Sequence, residues 1–427
     1  MHTSYVIGSS GIVAARSRIG WMTRLLHTLT SLARGARDAP AIACRQCHST
    51  SGQGEKMKKG SKRHWLASRT DVLAAALASM ACVCSWNAAA HDHGRSNHHS
   101  PHHQARLAGE IIPVDIYDPL GLVARGPQGQ LHRLATGFGF TEGPAADRHG
   151  NVFFTDQPND RIYRWDAGTG NITLWLEGTG RANGMIFDRD NNLIAAADLH
   201  GELWKIRPDG SHKVLIDDYQ GKLLNGPNDV WINPANGGIY ITDPIFPRDY
   251  WDADDPRRQP WEPTHSEQAA QGKGGHVYYL PPGGRKLARV TSDALGWESD
   301  SWPNGVVGTP DGRKLYVNKW AGDNKGGTWV FDIRRDGTLA NMRKFSEWGG
   351  DGMSMDERGN VYISNGEGVL AFDRNGNNIL KIPTGGGATN NTFAGRDGRT
   401  LFITGPANSV TAIRMNVRGS DSGDSCR

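Results

Sequence analysis

Cysteine is almost missing from most of this chain: beyond residue 84 only Cys426 remains. No disulfide framework can brace that part of the protein, so its stability has to come from a packed core. A net positive charge is missing there as well. The whole chain carries a formal +4, but residues 1–71 hold twelve Lys and Arg against three acids. Removing that local excess of nine leaves −5 for the rest, which gives no reason to expect a nucleic-acid partner. Aromatic residues make up only 8%. The apolar run Val72 to Trp86 is too short to stay in a bilayer as a permanent anchor. What the chain has in quantity is Gly, 55 residues, and Pro, 21 residues. That many turn formers favour an all-β fold over a helical one.

The basic start reads as an export leader. From Met57 a Lys/Arg-rich stretch precedes the apolar run, and Ala88-Ala89-Ala90 offers a small-residue cleavage site. The expected organisation is a surplus start or extension over 1–56, a signal peptide over 57–90, and an exported protein, periplasmic or secreted, with no membrane anchor after cleavage. "CRQCH" at Cys44 to His48 matches the haem attachment motif. It precedes the export signal and lacks room for a haem domain, so haem is not expected. Residues 91–104, "HDHGRSNHHSPHHQ", read as a solvated linker, with weak metal buffering as the alternative.

From residue 105 to 416 the sequence repeats. A polar residue beside Gly or Pro opens a short apolar strand; a turn and a second apolar strand follow. The polar steps stand at Glu142, Asn183, Asn228, Asn304, Asp351 and Asn391, spaced by 41, 45, 76, 47 and 40 residues. The long interval contains a polar, Pro-rich insert over 244–275 with Phe246, Tyr250, Trp251 and Trp261. Without it each repeat approaches the length of a four-stranded propeller blade. Six repeats predict a six-bladed β-propeller with a central metal site, followed by a disordered tail over 417–427. The insert is expected to act as a lid. Asp156 and Asp243, which end second strands, are expected to close blades.

If each repeat opens with the innermost strand, its polar residue faces the mouth of the central channel. Such a ring holds two carboxylates and several amide carbonyls, with no His or Cys. Hard cations such as Ca²⁺ or Mg²⁺ prefer that donor set.

"VDIYDPLGLV", "HRLATGFGFTEGP", "PNG" and "GDGM", in this order on the repeat, resemble the senescence marker protein/gluconolactonase/luciferin-regenerating enzyme family, its gluconolactonase branch above all. The resemblance implies metal ligands at Glu142, Asn304 and Asp351, with Asn228 facing the metal or its substrate. It implies substrate contacts at Asp229 and a pocket position at Asn183. Two positions depart from the family pattern: Gly350 stands where Pro often precedes the ligand Asp, and Gly226 where an Arg contacts substrate. The implied activity is metal-dependent hydrolysis of sugar-derived lactones, with Ca²⁺ as the ion and Zn²⁺, Mg²⁺ or Mn²⁺ as alternatives. Water is the nucleophile, and Asp351 or Asp229 takes its proton. A phosphotriesterase and a non-catalytic ligand-binding propeller are the alternative readings. The sequence carries no signal for oligomeric state.

Overall fold

Three of the six repeats fold around one local device. Asp147, Asp188 and Asp356 end a first strand and accept the backbone N–H groups two and four residues ahead. Each also accepts the side-chain amide of the Asn four residues on, Asn151, Asn192 and Asn360. An Asp in such a turn satisfies donors that would otherwise face solvent, and it sends the chain back as an antiparallel neighbour.

The computed structural model describes residues 107–244, 246, 275–297, 302–320, 326–405 and 408–420. The leader, the C-x-x-C-H motif, the His-rich tract and nearly all of the insert lie outside them. The described residues form six antiparallel sheets, five of four strands and one of five. Blade I runs Thr141–Ala146, Val152–Asp156, Arg161–Trp165 and Ile172–Glu177. Blade II starts with Ala182–Phe187, blade III with Val230–Ile232, blade IV with Pro303–Gly308, blade V with Met353–Met355 and blade VI with Asn391–Ala394. Blade VI takes its two outer strands, Leu131–Thr136 and Glu110–Ile112, from the start of the domain. Joining the start and the end of the domain in one sheet closes the circle and leaves no first or last blade free to peel away. The architecture is the six-bladed all-β propeller predicted from the repeat. Among the described residues no helix is long and apolar enough to cross a membrane.

The second strand of each blade is buried on both faces, as its uninterrupted apolar run predicts. Val152–Asp156, Leu193–Ala197, Ile239–Pro244, Val361–Asn365 and Thr400–Thr404 are buried at every position. Their side chains pack between neighbouring sheets: Tyr240 with Val317 and Phe331, Tyr362 with Phe393 and Ile403. Burying a side chain of that size stabilises by about 1.5–3 kcal/mol. The packed domain also runs further than the repeat suggests. Val417 is fully buried, and the Ser420 N–H donates to the Met355 carbonyl, so the tail predicted from residue 417 is ordered through Ser420.

Candidate functional site

The first strands meet at the axis, and their opening residues are stitched together blade to blade. The N–H of Gly184 donates to the Asn228 carbonyl at 2.6 Å, that of Gly305 to Asp351 at 3.1 Å, and that of Gly352 to Thr389 at 2.7 Å. These bonds set the register of a ring: Glu142, Asn183, Asn228, Asn304, Asp351 and, from blade VI, Thr389. The residue after each ring member sits against the next blade. A Cβ on Gly143, Gly184 or Gly305 would lie 1.9, 2.5 or 2.2 Å from the backbone oxygen of Asn183, Asn228 or Asp351. Glycine at these three positions is therefore a condition of the ring's tightness.

The sequence places Asn391 in the ring; the structure places it elsewhere. Blade VI presents Thr389 at the ring register, and Asn390 fills the next position with its carboxamide against Gly352. Asn391 lies further along the strand, where its amide donates to the Ser364 hydroxyl at 2.8 Å and its Oδ1 accepts from Ser354. Two adjacent asparagines read alike in sequence, and only the interblade hydrogen bonds separate them.

The ring gathers charge that the fold leaves uncompensated. Glu142 is 2% exposed; its Oε2 accepts the Gly143 N–H at 2.7 Å and the Asn390 amide at 3.1 Å. Burial raises its carboxyl well above the usual range, and the neighbouring Asp351, within hydrogen-bonding reach, raises it further. Asp229 is held from both sides, Oδ1 by the Val230 N–H at 2.9 Å and Oδ2 by the Val306 N–H at 3.1 Å. Burial, and after it the charge of Glu142, lifts Asp229 to about 7. Among the described residues neither Glu142 nor Asp229 has a basic partner.

The carboxamides add to this imbalance. Oδ1 of Asn304 and Oδ1 of Asn183 are buried without any hydrogen-bond partner. A buried carbonyl oxygen with no donor is costly, by about 1–3 kcal/mol, so two of them beside paired carboxylates call for a cation. Among the described residues no three His, Cys, Asp or Glu side chains gather as a metal cluster. The ring instead combines two carboxylates with neutral amide oxygens. That all-oxygen chemistry fits a hard divalent ion.

Several neighbours position the ring, and two of them do more than the sequence suggests. Asp243 accepts the N–H groups of Asn225 at 3.1 Å and Gly226 at 3.0 Å and the Asn225 amide at 3.0 Å. It thereby anchors the lead-in to Asn228. Asp156 does the same for the lead-in to Glu142, accepting from Gly139 and Phe140. Both residues clamp entering chain, a more specific task than closing a blade. Gly226 has φ 149°, a backbone that an Arg adopts only with strain. At Gly350 a Cβ would lie 2.2 Å from the Ser364 carbonyl oxygen, which accounts for glycine there. Beside Asn304, Trp302 stacks on Trp320 at 5.1 Å, and Phe246 meets both edge-on at 5.4 and 5.6 Å. Phe246 is the one residue between 245 and 274 among those described, so the predicted lid lies outside them.

Asp229 sits one residue past ring member Asn228. It lines a cavity of about 310 Å³ that continues along the first strands to the opposite face and that no ring member lines. Asp351, by contrast, is half-buried at the ring itself.

Residues 140–406 match the model of the SMP-30/gluconolactonase/LRE-like region. The chain is 27% identical over 314 residues to a gluconolactonase of Zymomonas mobilis, covering 67% of this chain and 81% of that protein. It is 28% identical over 142 residues to the lactonohydrolase oryH of Aspergillus oryzae, a match spanning 27% of this chain and 30% of that one. The structure of a gluconolactonase from Xanthomonas campestris superimposes with a TM-score of 0.59 at 27% identity, over 73% of this chain and 99% of that one. Fold and sequence agree, and the chain belongs to the SMP-30/gluconolactonase/LRE-like family.

Proposed function

We propose that this protein is a lactone hydrolase that opens sugar-derived lactones with the help of a divalent cation of the Ca²⁺ type. The observation that carries the reading is the pairing of two carboxylates, buried Glu142 and half-buried Asp351, with the unpartnered Oδ1 of Asn304. Kinship with proteins named gluconolactonase and lactonohydrolase supports the choice of reaction. In this reading Glu142, Asn228, Asn304 and Asp351 hold the ion, and Asn183 lines the substrate's side of the ring. A cation held there would polarise the lactone carbonyl and offset the negative charge that develops on its oxygen.

The chain's own groups then divide the work. Glu142 is fixed by the Gly143 N–H and the Asn390 amide, so its free oxygen is aimed before substrate arrives. The Asn228 carboxamide has no hydrogen-bond partner among the described residues and is free to meet the lactone. We assign the proton of the attacking water to Asp351, the half-buried carboxylate of the ring. Asp229 stands behind the ring and acts on it through charge. In the same reading the protein works after export, in the periplasm or outside the cell.

The test is hydrolysis of glucono-1,5-lactone, followed by pH-stat at neutral pH with Ca²⁺, with chelator, and for Asp351→Asn. Turnover lost in both the chelated and the substituted protein is the expected result. Turnover indifferent to chelator removes the metal from the reading. Activity at the uncatalysed rate in every sample overturns the lactonase and brings forward the phosphotriesterase or the binding propeller.

A further inference from the structure

The far compartment of the channel has no part in the proposed reaction, yet it is built differently from the rest of the surface. Its walls are apolar: Met185, Trp231, Met353, Met355 and Phe393 line it, all buried. Three of these are methionines, whose flexible thioethers let a pocket adapt to its occupant. At about 310 Å³ the space is at the small end for a ligand site.

The mouth is cationic because of the repeat. Arg148 and Arg189 occupy the same register, directly after Asp147 and Asp188, at the turns of adjacent blades. Both line the cavity, and both are exposed. Neither guanidinium pairs with a carboxylate among the described residues: Arg148 donates to the His149 ring and Arg189 to the Pro234 carbonyl. The acids directly before them are committed elsewhere. Asp147 holds its own turn through His149 and Asn151, and Asp188 pairs with Lys205 at 2.7 Å. At the corresponding positions of blades III and IV stand Pro234 and Pro310, which bring no charge; blade V brings Glu357, which accepts the Arg418 N–H, and blade VI brings Arg396, and neither of these lines the cavity. The inner end carries the Asp229 carboxyl, which bars a second negative group from entering deep.

We infer that this compartment binds a small organic anion with an apolar tail, tail inward among the methionines and carboxylate at Arg148 and Arg189. A guanidinium offers a planar pair of donors that matches a carboxylate, and two of them on one rim select the anion over its neutral or cationic analogue. Such a site is separate from the ring, with Asp229 and Asn390 forming the floor between them.

Octanoate is the probe, titrated calorimetrically into the protein in the presence of chelator, with octylammonium and 1-octanol as charge controls. Trp231 fluorescence provides the second readout. Saturable binding of octanoate alone is expected. It should weaken about tenfold or more in Arg148→Ala/Arg189→Ala, since two charge-assisted contacts are lost. It should vanish in Ala146→Trp, which fills the mouth from a partly buried position, with a cooperative melting transition kept in both variants. Absence of saturable binding overturns the inference. So does equal binding of the cationic or neutral probe, or binding that survives Ala146→Trp.

Discussion

The two ends of the central channel are made from the same six strands and differ in almost every physical respect. At the ring end the strands carry Glu, Asn and Asp, buried or half-buried, and Oδ1 of Asn183 and of Asn304 lack a hydrogen-bond partner. At the far end the same strands carry Met, Val and Phe, and the rim presents two arginines without acid partners. A strand changes character over four or five residues, a distance of about 15 Å. The difference teaches that the blade frame fixes where side chains converge and leaves their chemistry open. At the ring that freedom concentrates negative charge, which the proposed cation would offset. At the far end it leaves a space that an apolar body can fill.

The largest effect that would sharpen this contrast belongs to Glu142. Glu142→Gln keeps the side chain's shape and removes one of two charges, so kcat/KM for lactone should fall by about 10²–10³, the scale of losing one preorganised electrostatic group. Octanoate binding at the far end should not move. Equal losses at both ends would mean that the compartments are one site.

A smaller effect concerns pH. Asp229 has its carboxyl raised from the ordinary 3.8 to about 7. Between those values the native state binds more protons than the unfolded chain, so the group's contribution to stability falls as pH rises. The slope is about 1.4 kcal/mol per pH unit inside that window, and the loss is complete above it. Metal-free protein should therefore lose melting temperature from pH 4 to pH 7. Asp229→Asn should flatten the curve, and added Ca²⁺ should restore more stability at the upper end than at the lower. A metal-free curve that rises through this window would show that the charge cluster does not govern stability there.

How much of this contrast the sequence displays depends on the residue. Glu142, Asn183, Asn228, Asn304 and Asp351 were legible because a polar residue beside Gly or Pro recurs at blade spacing. Their convergence follows from six-fold closure. The sixth member was not legible: Thr389, Asn390 and Asn391 are consecutive polar residues, and a one-residue shift changes the face of a strand. Asp243 and Asp156 read as turn residues because their partners are found only once the strands pair. Val417 reads as tail because its burial depends on the chain ends meeting in blade VI. Arg148 and Arg189 were visible in the repeat, but nothing in the sequence marks an arginine as lacking its acid.

A further prediction tests the ring's tightness. Gly305→Ala puts a methyl 2.2 Å from the Asp351 carbonyl oxygen. Blades IV and V must then separate, at about 1–3 kcal/mol for an overpacked contact. Metal affinity, read by calorimetry, should weaken together with melting temperature, while octanoate binding stays. An unchanged metal affinity would show that the ring tolerates expansion.

The smallest effect, and the most discriminating, is expected at Asp243. It touches no ring oxygen, yet both of its carboxylate oxygens are used by the lead-in to Asn228. Asp243→Asn replaces one of those acceptors by an amide that donates, so a hydrogen bond is lost where it cannot be replaced by solvent. The cost should be about 1–2 kcal/mol. Because the lead-in sets where Asn228 stands, part of that cost should appear as a raised KM for lactone, with kcat nearly kept. Glu142→Gln predicts the opposite division, with kcat falling. If both substitutions lower kcat alike, Asn228 belongs with the charge-bearing part of the ring. If Asp243→Asn moves only the melting temperature, the lead-in is scaffold, and the ring-end geometry is fixed by the interblade hydrogen bonds alone.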